Sequence, residues 1–399
     1  MATARAQALL RKPGQPVHPT FLEVFFDLVF VFALTRMTQR LVEELTSERR
    51  ILVTEAGQTL ILLLATYMVW LVTTLITNLY DPTRPEIQLV TAAAMLGALL
   101  MAVAVPEAFE ERSLFFALSY VSIHLVQGLF FVPALRGHPA QRRAVRVFVW
   151  FSISAVPWVV GALDGDVARA VLWTLAIALD YTGVALRQPT PMLGRQPASE
   201  MTIDPEHLSE RFRLFFTIAL GELILALGST YSQSAFTAAS TVAFVASFAT
   251  TALLWRIYVH RAGELLPAAI ATAREPARLA AVSVPAHVLM LAGIIAVSAG
   301  IELVIAQPLG RIDPALVVFM LGGPVLYLGG RAIFEYIVFS RVSPSRWYGI
   351  TTLVVISPGL RFAPPLVSAI APAAVLTGVA ITDTIRGRGS PDEPPSPPG

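Results

Sequence analysis

Long apolar runs separated by short polar breaks dominate this chain. A helix needs about 20 apolar residues to cross a bilayer core. By that length the runs predict six helices at 21–43, 56–79, 87–106, 113–134, 144–162 and 168–186. Six more are predicted at 210–230, 237–259, 279–306, 314–339, 346–362 and 365–384. The eleventh is the least regular, because Pro358, Pro364 and Pro365 crowd its exit, so totals of ten and twelve both stay open. The expected fold is all-α: a polytopic integral membrane protein with about 12 transmembrane helices.

Composition agrees with the pattern. The chain is 55% hydrophobic and 14% charged, with a mean hydropathy of +0.66. Soluble domains carry roughly 25% charged residues. Residues 1–20 are polar and lack the apolar core of a cleavable signal, so they are expected to remain as a cytoplasmic segment. With no cysteine, disulfides and cysteine-ligated metals are excluded. If the N-terminus is cytoplasmic, twenty of the 29 basic residues fall in inside loops and six (Arg49, Arg50, Arg112, Arg169, Arg311 and Arg361) in outside loops. That bias obeys the positive-inside rule and predicts an even number of spans with both termini cytoplasmic. The sequence pI near 9.0 follows from this bias and calls for no nucleic-acid partner.

The two sets of six runs echo each other. Met95-Leu-Gly97 in the third is answered by Leu291-Ala-Gly293 in the ninth, and Asp180 in the sixth by Asp383 in the twelfth. Phe25-Phe26-Asp27 and Phe215-Phe216-Thr217 open the first and seventh. The expected organisation is a cytoplasmic segment (1–20), a first six-helix half (21–190), a cytoplasmic linker (191–209), a second half (210–385) and a disordered proline-rich tail (386–399). With an even span count per half, the halves form a parallel repeat, an arrangement of transporters whose site lies between repeats.

Polar groups inside apolar runs are the functional candidates, because a charge at the centre of a membrane helix costs at least about 2.5–3.5 kcal/mol. Glu23 and Asp27 lie four residues apart, on one helix face. They are read either as cation or proton ligands or as a structural pair with an arginine on a neighbouring helix. Glu222 follows Arg211 by eleven residues, roughly 17 Å along a helix, a depth that suits a reversible proton or cation site. Gly221 and Gly228 are expected to admit another helix closely. Asp180 is the remaining candidate for the path, whereas Asp383 is expected near the end of its helix, hydrated. Arg331 and Glu335, spaced i,i+4, are expected to pair with each other. His124 and His287 are read as hydrogen-bonding groups rather than cofactor ligands. No metal site or cofactor is expected, and phosphate-loop, HExxH and GxSxG signatures are absent.

Two stretches carry a family likeness: Phe21-x-Glu23-x-Phe-Phe-Asp27-x-Val-Phe-Val-Phe-Ala33, and His207-Leu-Ser-Glu210-Arg211-x7-Ala219-Leu-Gly221-Glu222. With Trp70-x7-Asn78-Leu-Tyr-Asp81-Pro82 and Ala104-Val-Pro106-Glu-Ala-Phe109, they resemble the bacterial low temperature requirement protein A (LtrA) family over nearly the whole chain. The resemblance implies a multi-pass protein of the bacterial cytoplasmic membrane, from a family named for growth in the cold. Its motif polar residues map to Glu23, Asp27, His207, Glu210, Arg211 and Glu222.

The expected function is a transporter or channel for a small cation or proton-coupled solute. Its polar site is expected between the first and seventh helices, with Glu23, Asp27, Glu222 and Asp180 on the path. His207, Glu210 and Arg211 form a cytoplasmic charge network that keeps the seventh helix in register. The alternatives are a non-transporting protein for low-temperature or envelope adaptation and an intramembrane lipid-modifying enzyme; no catalytic residue is assigned. The expected partners are the lipid bilayer and an unidentified small ion or solute, and oligomeric state is open.

Overall fold

The computed structural model describes residues 2–12, 18–46, 52–197, 203–273, 276–311, 314–389 and 394–397. Loop residues Arg49, Arg50 and Arg274, the middle of the 191–209 linker and much of the tail lie outside them. The described elements are α1 (Ala2–Leu9), α2 (Phe21–Thr46), α3 (Leu52–Leu79), α4 (Pro85–Ala104), α5 (Ser113–Ala134), α6 (Ala140–Leu163) and α7 (Asp166–Ala185). There follow α8 (Pro205–Gln233), α9 (Ala238–Tyr258), α10 (Glu264–Thr272), α11 (Pro276–Ala306), α12 (Pro314–Phe339), α13 (Pro344–Leu360) and α14 (Pro365–Gly389). Among the described residues the only β pairing is two isolated bridges, Leu10 with Tyr80 and Thr190 with Gly194.

Twelve long helices fall on the twelve apolar runs. Ten helices among the described residues are long and apolar enough to cross a membrane. The two that fall short do so for different reasons. Helix α2 carries Glu23, Asp27, Arg36 and Arg40 along its length, and α13 is only 17 residues long. Prolines open α4, α8, α11, α12, α13 and α14, where a missing N–H and a fixed φ suit the first helical turn. Helix α14 runs to Gly389, past the expected start of the tail, and Ser340 donates to the carbonyl of Ser396 at 2.6 Å.

The chain packs into two compact units. The first comprises residues 1–37, 56–212 and 275–281, and the second residues 38–55, 213–274 and 282–399. In the first, α4, α5, α6 and α7 pack as successive neighbours. Their core is aromatic: Trp158 and Trp173 lie 5.1 Å apart, with Phe116 stacked on Trp173. The N-terminal segment docks here as well. Ala6 and Leu9 pack with Ile76, Tyr80 and Phe131, while Asp81 donates its backbone N–H to the carbonyl of Leu9.

In the second unit α9 packs on α14, and α12, α13 and α14 pack together. Helices α11 and α12 meet backbone to backbone through glycines. A Cβ on Gly293 would lie 2.6 Å from the Gly323 carbonyl, and one on Gly330 the same distance from the Ala286 carbonyl. Small residues at such a crossing let two membrane helices gain van der Waals contact along their backbones. Gly221 and Gly228, expected to admit a neighbour, have nothing within 4 Å of a built Cβ. The close approach sits on α11 and α12 instead.

Large apolar side chains are exposed across both units, including Leu89, Leu129, Val156, Val171, Leu225 and Val355. Helix α2 shows the sorting: Phe21, Phe25, Leu28 and Phe32 face outward, while Glu23, Phe26, Asp27 and Phe30 are buried. Exposed apolar surface of this extent, beside buried ionisable groups such as Glu23 and Asp27, is unlike a soluble protein and suits hydrocarbon surroundings.

Candidate functional site

The first unit buries a continuous ionic network at the start of α2. Arg211 of α8 holds Asp27 bidentately, with Nη1 2.9 Å from Oδ2 and Nη2 2.8 Å from Oδ1. Trp70 of α3 donates its indole N–H to the same Oδ1 at 2.8 Å. One turn away, His207 Nε2 lies 3.0 Å from Glu23 Oε1, and Glu23 Oε2 accepts from the N–H and the hydroxyl of Thr20. Asn78 then fixes the far side of His207: its Nδ2 lies 3.0 Å from Nδ1 and also donates to the Asp204 carbonyl. Asp27, Arg211 and His207 have no exposed surface, and Glu23 has 1%.

Residue spacing explains this geometry. Glu23 and Asp27 are four apart on α2, and His207 and Arg211 are four apart on α8, so each pair stands as two rungs on one helix face. Both rungs join residues separated by 184 positions. A constant difference means that α2 and α8 run parallel, in register. On α3, Trp70, Thr74 and Asn78 follow the same four-residue step, and Thr74 Oγ1 lies 3.4 Å from Arg211 Nη2. A buried ion pair repays its desolvation only when its remaining valences are satisfied, and here almost all are. Arg211 Nε, 3.9 Å from Glu23 Oε1, is the exception. Glu210 is apart from this network: it lies at the surface against His18, at 2.9 Å.

The second unit holds a carboxyl group of a different kind. Glu222, fully buried on α8, accepts one hydrogen bond, from Ser298 Oγ of α11 to Oε1 at 2.9 Å. Its other oxygen has no hydrogen-bond partner, and no basic group pairs with it among the described residues. Thr38 of α2 lies beside it, and Glu302 is within electrostatic reach. Ser298 and Glu302 are one turn apart on the same face of α11. Thr38 precedes Glu222 by the same 184 positions that separate the two rungs of the first unit.

Asp180, in the first unit, repeats this pattern. Its Oδ2 accepts from the Tyr120 hydroxyl at 2.7 Å, while Oδ1 makes no hydrogen bond; Ser154 and Trp158 flank it. Asp383, by contrast, is neither hydrated nor unpaired. It is buried, 2.7 Å from Arg346 Nη2, and accepts from Ser345 at 2.8 Å. Arg331 and Glu335 do not pair with each other. Arg331 donates to the carbonyls of Ile257 and His260, at the π-helical turn 259–263, where the wider winding frees carbonyls from their usual donors. Glu335 takes Ser343 and Arg346 as partners. Among the described residues, no three His, Asp or Glu side chains converge as a metal site would need.

The sequence alone did not single out Thr20, Thr38, Thr74, Ser298 or Glu302. The four-residue step shared by Glu23/Asp27 and His207/Arg211 was the available signal for the ladder. Small hydroxyls carry none, because Ser and Thr recur throughout membrane helices.

Apolar helices in this number, with large apolar side chains exposed along them, define a polytopic membrane protein. The sequence matches the family described as "Bacterial low temperature requirement A protein (LtrA)" over residues 18–381. The chain belongs to that family. It is similar to an uncharacterized protein, RA0937, of Rhizobium meliloti (strain 1021), with 33% identity over 359 residues, covering 88% of this chain and 86% of that protein. No solved structure matches it.

Proposed function

We propose that the protein conducts or carries a proton or small cation across the bacterial cytoplasmic membrane, with Glu222 taking up the ion. The observation that carries this reading is a fully buried carboxyl with one hydroxyl donor, one unpartnered oxygen and no basic neighbour among the described residues. A lone carboxylate in such surroundings is costly unless it shares its charge with a proton or a bound cation. Asp180, similarly placed in the first unit, is a second binding group. Glu23, Asp27, His207 and Arg211 then act as a clamp that sets the register of α2 and α8, since their valences are already occupied.

The parallel run of α2 and α8 supports an odd number of crossings between them, as the five helices α3–α7 would make, and so a first half of six spans; it favours twelve spans in two parallel six-helix halves with both termini cytoplasmic. The paired features Gly97 and Gly293, both at close approaches, and Asp180 and Asp383, both buried acceptors of a hydroxyl, support the repeat.

The test is ion flux in proteoliposomes under imposed H⁺, Na⁺ and K⁺ gradients. Wild-type protein should carry one of these ions. Glu222→Gln, which keeps an acceptor for Ser298, should lose at least tenfold of the flux while remaining folded. Glu210→Gln, at the surface, should retain it. Absence of wild-type flux for all three ions, or an unchanged rate in Glu222→Gln, would overturn the proposal.

A further inference from the structure

Four oxygen-bearing side chains meet around Glu222 in the second unit. Ser298 Oγ of α11 stands 2.9 Å from its Oε1. Thr38 of α2 lies beside the carboxyl, and Glu302, one turn beyond Ser298 on α11, acts on it through its charge. Helix periodicity sets these positions. Thr38 follows Asp27 by eleven residues and Glu222 follows Arg211 by eleven, about three turns in each case. Thr38 therefore shares the face of α2 that carries Asp27, and Glu222 the face of α8 that carries Arg211.

Two of these oxygens are left over. Thr38 has no exposed surface, and its Oγ1 makes no hydrogen bond within the protein. Several threonines in this chain return the hydroxyl to the carbonyl four residues back: Thr35 to Val31, Thr66 to Leu62 and Thr251 to Ser247. Thr38 does not take that bond. Glu222 Oε2 is likewise buried without a hydrogen-bond partner. Orphaned polar atoms at full burial are costly and need explaining.

A proton on Oε2 answers the carboxyl and leaves the lone pairs of Thr38 unused, whereas a metal cation engages both oxygens at once. Carboxylate and hydroxyl oxygens suit hard cations rather than transition metals. Ca²⁺ calls for about six to eight oxygens, and Mg²⁺ holds on to several waters. Here Oε1 is already engaged with Ser298, and the neighbouring Ala219, Leu223, Ile295 and Ile301 are buried side chains that bring no further oxygen. K⁺ filters are built from rings of backbone carbonyls, which an unbroken helix keeps for its own hydrogen bonds. A small monovalent ion fits best. Glu302 is half-buried and lies four residues before the end of α11 at Ala306, so the cluster reaches from full burial toward the helix end.

We propose that Thr38, Glu222, Ser298 and Glu302 together bind a sodium ion, which Glu302 receives from the end of α11 and Glu222 holds at depth. The inference rests on Glu222 as the ion-binding group and names its ion.

The test is binding of radiolabelled Na⁺ to the full chain in phosphatidylcholine nanodiscs at fixed pH, with choline as the balancing cation. Saturable binding is expected, with unlabelled Na⁺ displacing the label at least tenfold better than K⁺. Thr38→Val removes a hydroxyl at nearly constant volume, and Glu302→Gln removes a charge; each should weaken binding at least tenfold. Thr251→Val, whose hydroxyl is spent on the Ser247 carbonyl, should leave binding unchanged. An unfolding midpoint close to that of wild type shows that each variant is folded. No saturable binding, displacement by K⁺ or Ca²⁺ as effective as by Na⁺, or binding indifferent to both Thr38→Val and Glu302→Gln would overturn the proposal. Flux judges the ion-carrying reading separately. H⁺ or K⁺ flux that Glu222→Gln abolishes, without Na⁺ binding, would overturn the sodium assignment alone; Na⁺ binding without any flux would uphold the site and overturn transport alone.

Discussion

Replacing Arg211 with methionine removes the cation held bidentately by Asp27, leaving that carboxylate with Trp70 as its remaining donor at hydrogen-bond distance. Breaking a buried pair from one side costs about 3–5 kcal/mol, because the stranded charge is the penalty. Asp27→Asn should cost less, about 1–3 kcal/mol, since the amide still accepts from Trp70 and Arg211 keeps Glu23 at 3.9 Å. The double variant strands no charge at Asp27 and should cost less than Arg211→Met alone, with a coupling of up to about 3 kcal/mol between the two sites. Unfolding titrations in mixed micelles, followed by tryptophan fluorescence and circular dichroism, give all four corners of the cycle. Costs below about 0.5 kcal/mol for both single variants, or strict additivity, would refute the argument that this pair clamps α2 to α8.

Two further outcomes follow from packing. Gly323→Ala places a Cβ 2.8 Å from the Val297 backbone nitrogen and should destabilise by about 1–3 kcal/mol. Its neighbour Gly322→Ala meets only Val318 at 4.0 Å and should be neutral or stabilising by up to about 1 kcal/mol, as measured by the same titration. Arg346→Met strands the buried Asp383 and Glu335 together and should cost about 3–5 kcal/mol, with Asp383→Asn in the same background recovering part of it. Recovery would appear as a shift of the unfolding midpoint back toward wild type.

The long helices were legible because run length marks a long apolar helix; each of the twelve runs holds a helix, and ten of these are long and apolar enough to cross a membrane. Helices α1 and α10 were not, since eight or nine residues are too short to leave such a mark. Glu222 was legible from its depth in an apolar segment. Which arginine meets which acid was not, because helix spacing reports neighbours three or four residues away and says nothing of partners 184 residues distant. Arg331 and Glu335 illustrate the limit. Their i,i+4 spacing allowed a mutual pair, but α9 and α13 offered each a better-placed partner.

The distance in sequence between Asp27 and Arg211 has a consequence for biosynthesis. At about 5–20 residues per second, the ribosome needs roughly 10–40 s to add the residues that separate them. For that interval α2 exists with Glu23 and Asp27 near its start and with neither His207 nor Arg211 to answer them. It is also too charged to rank among the ten helices apolar enough to cross a membrane. The first long helix to be made is therefore among the last to be secured. A chain truncated before residue 204 should leave α2 exposed to proteolysis, whereas one extended past Arg211 should protect it.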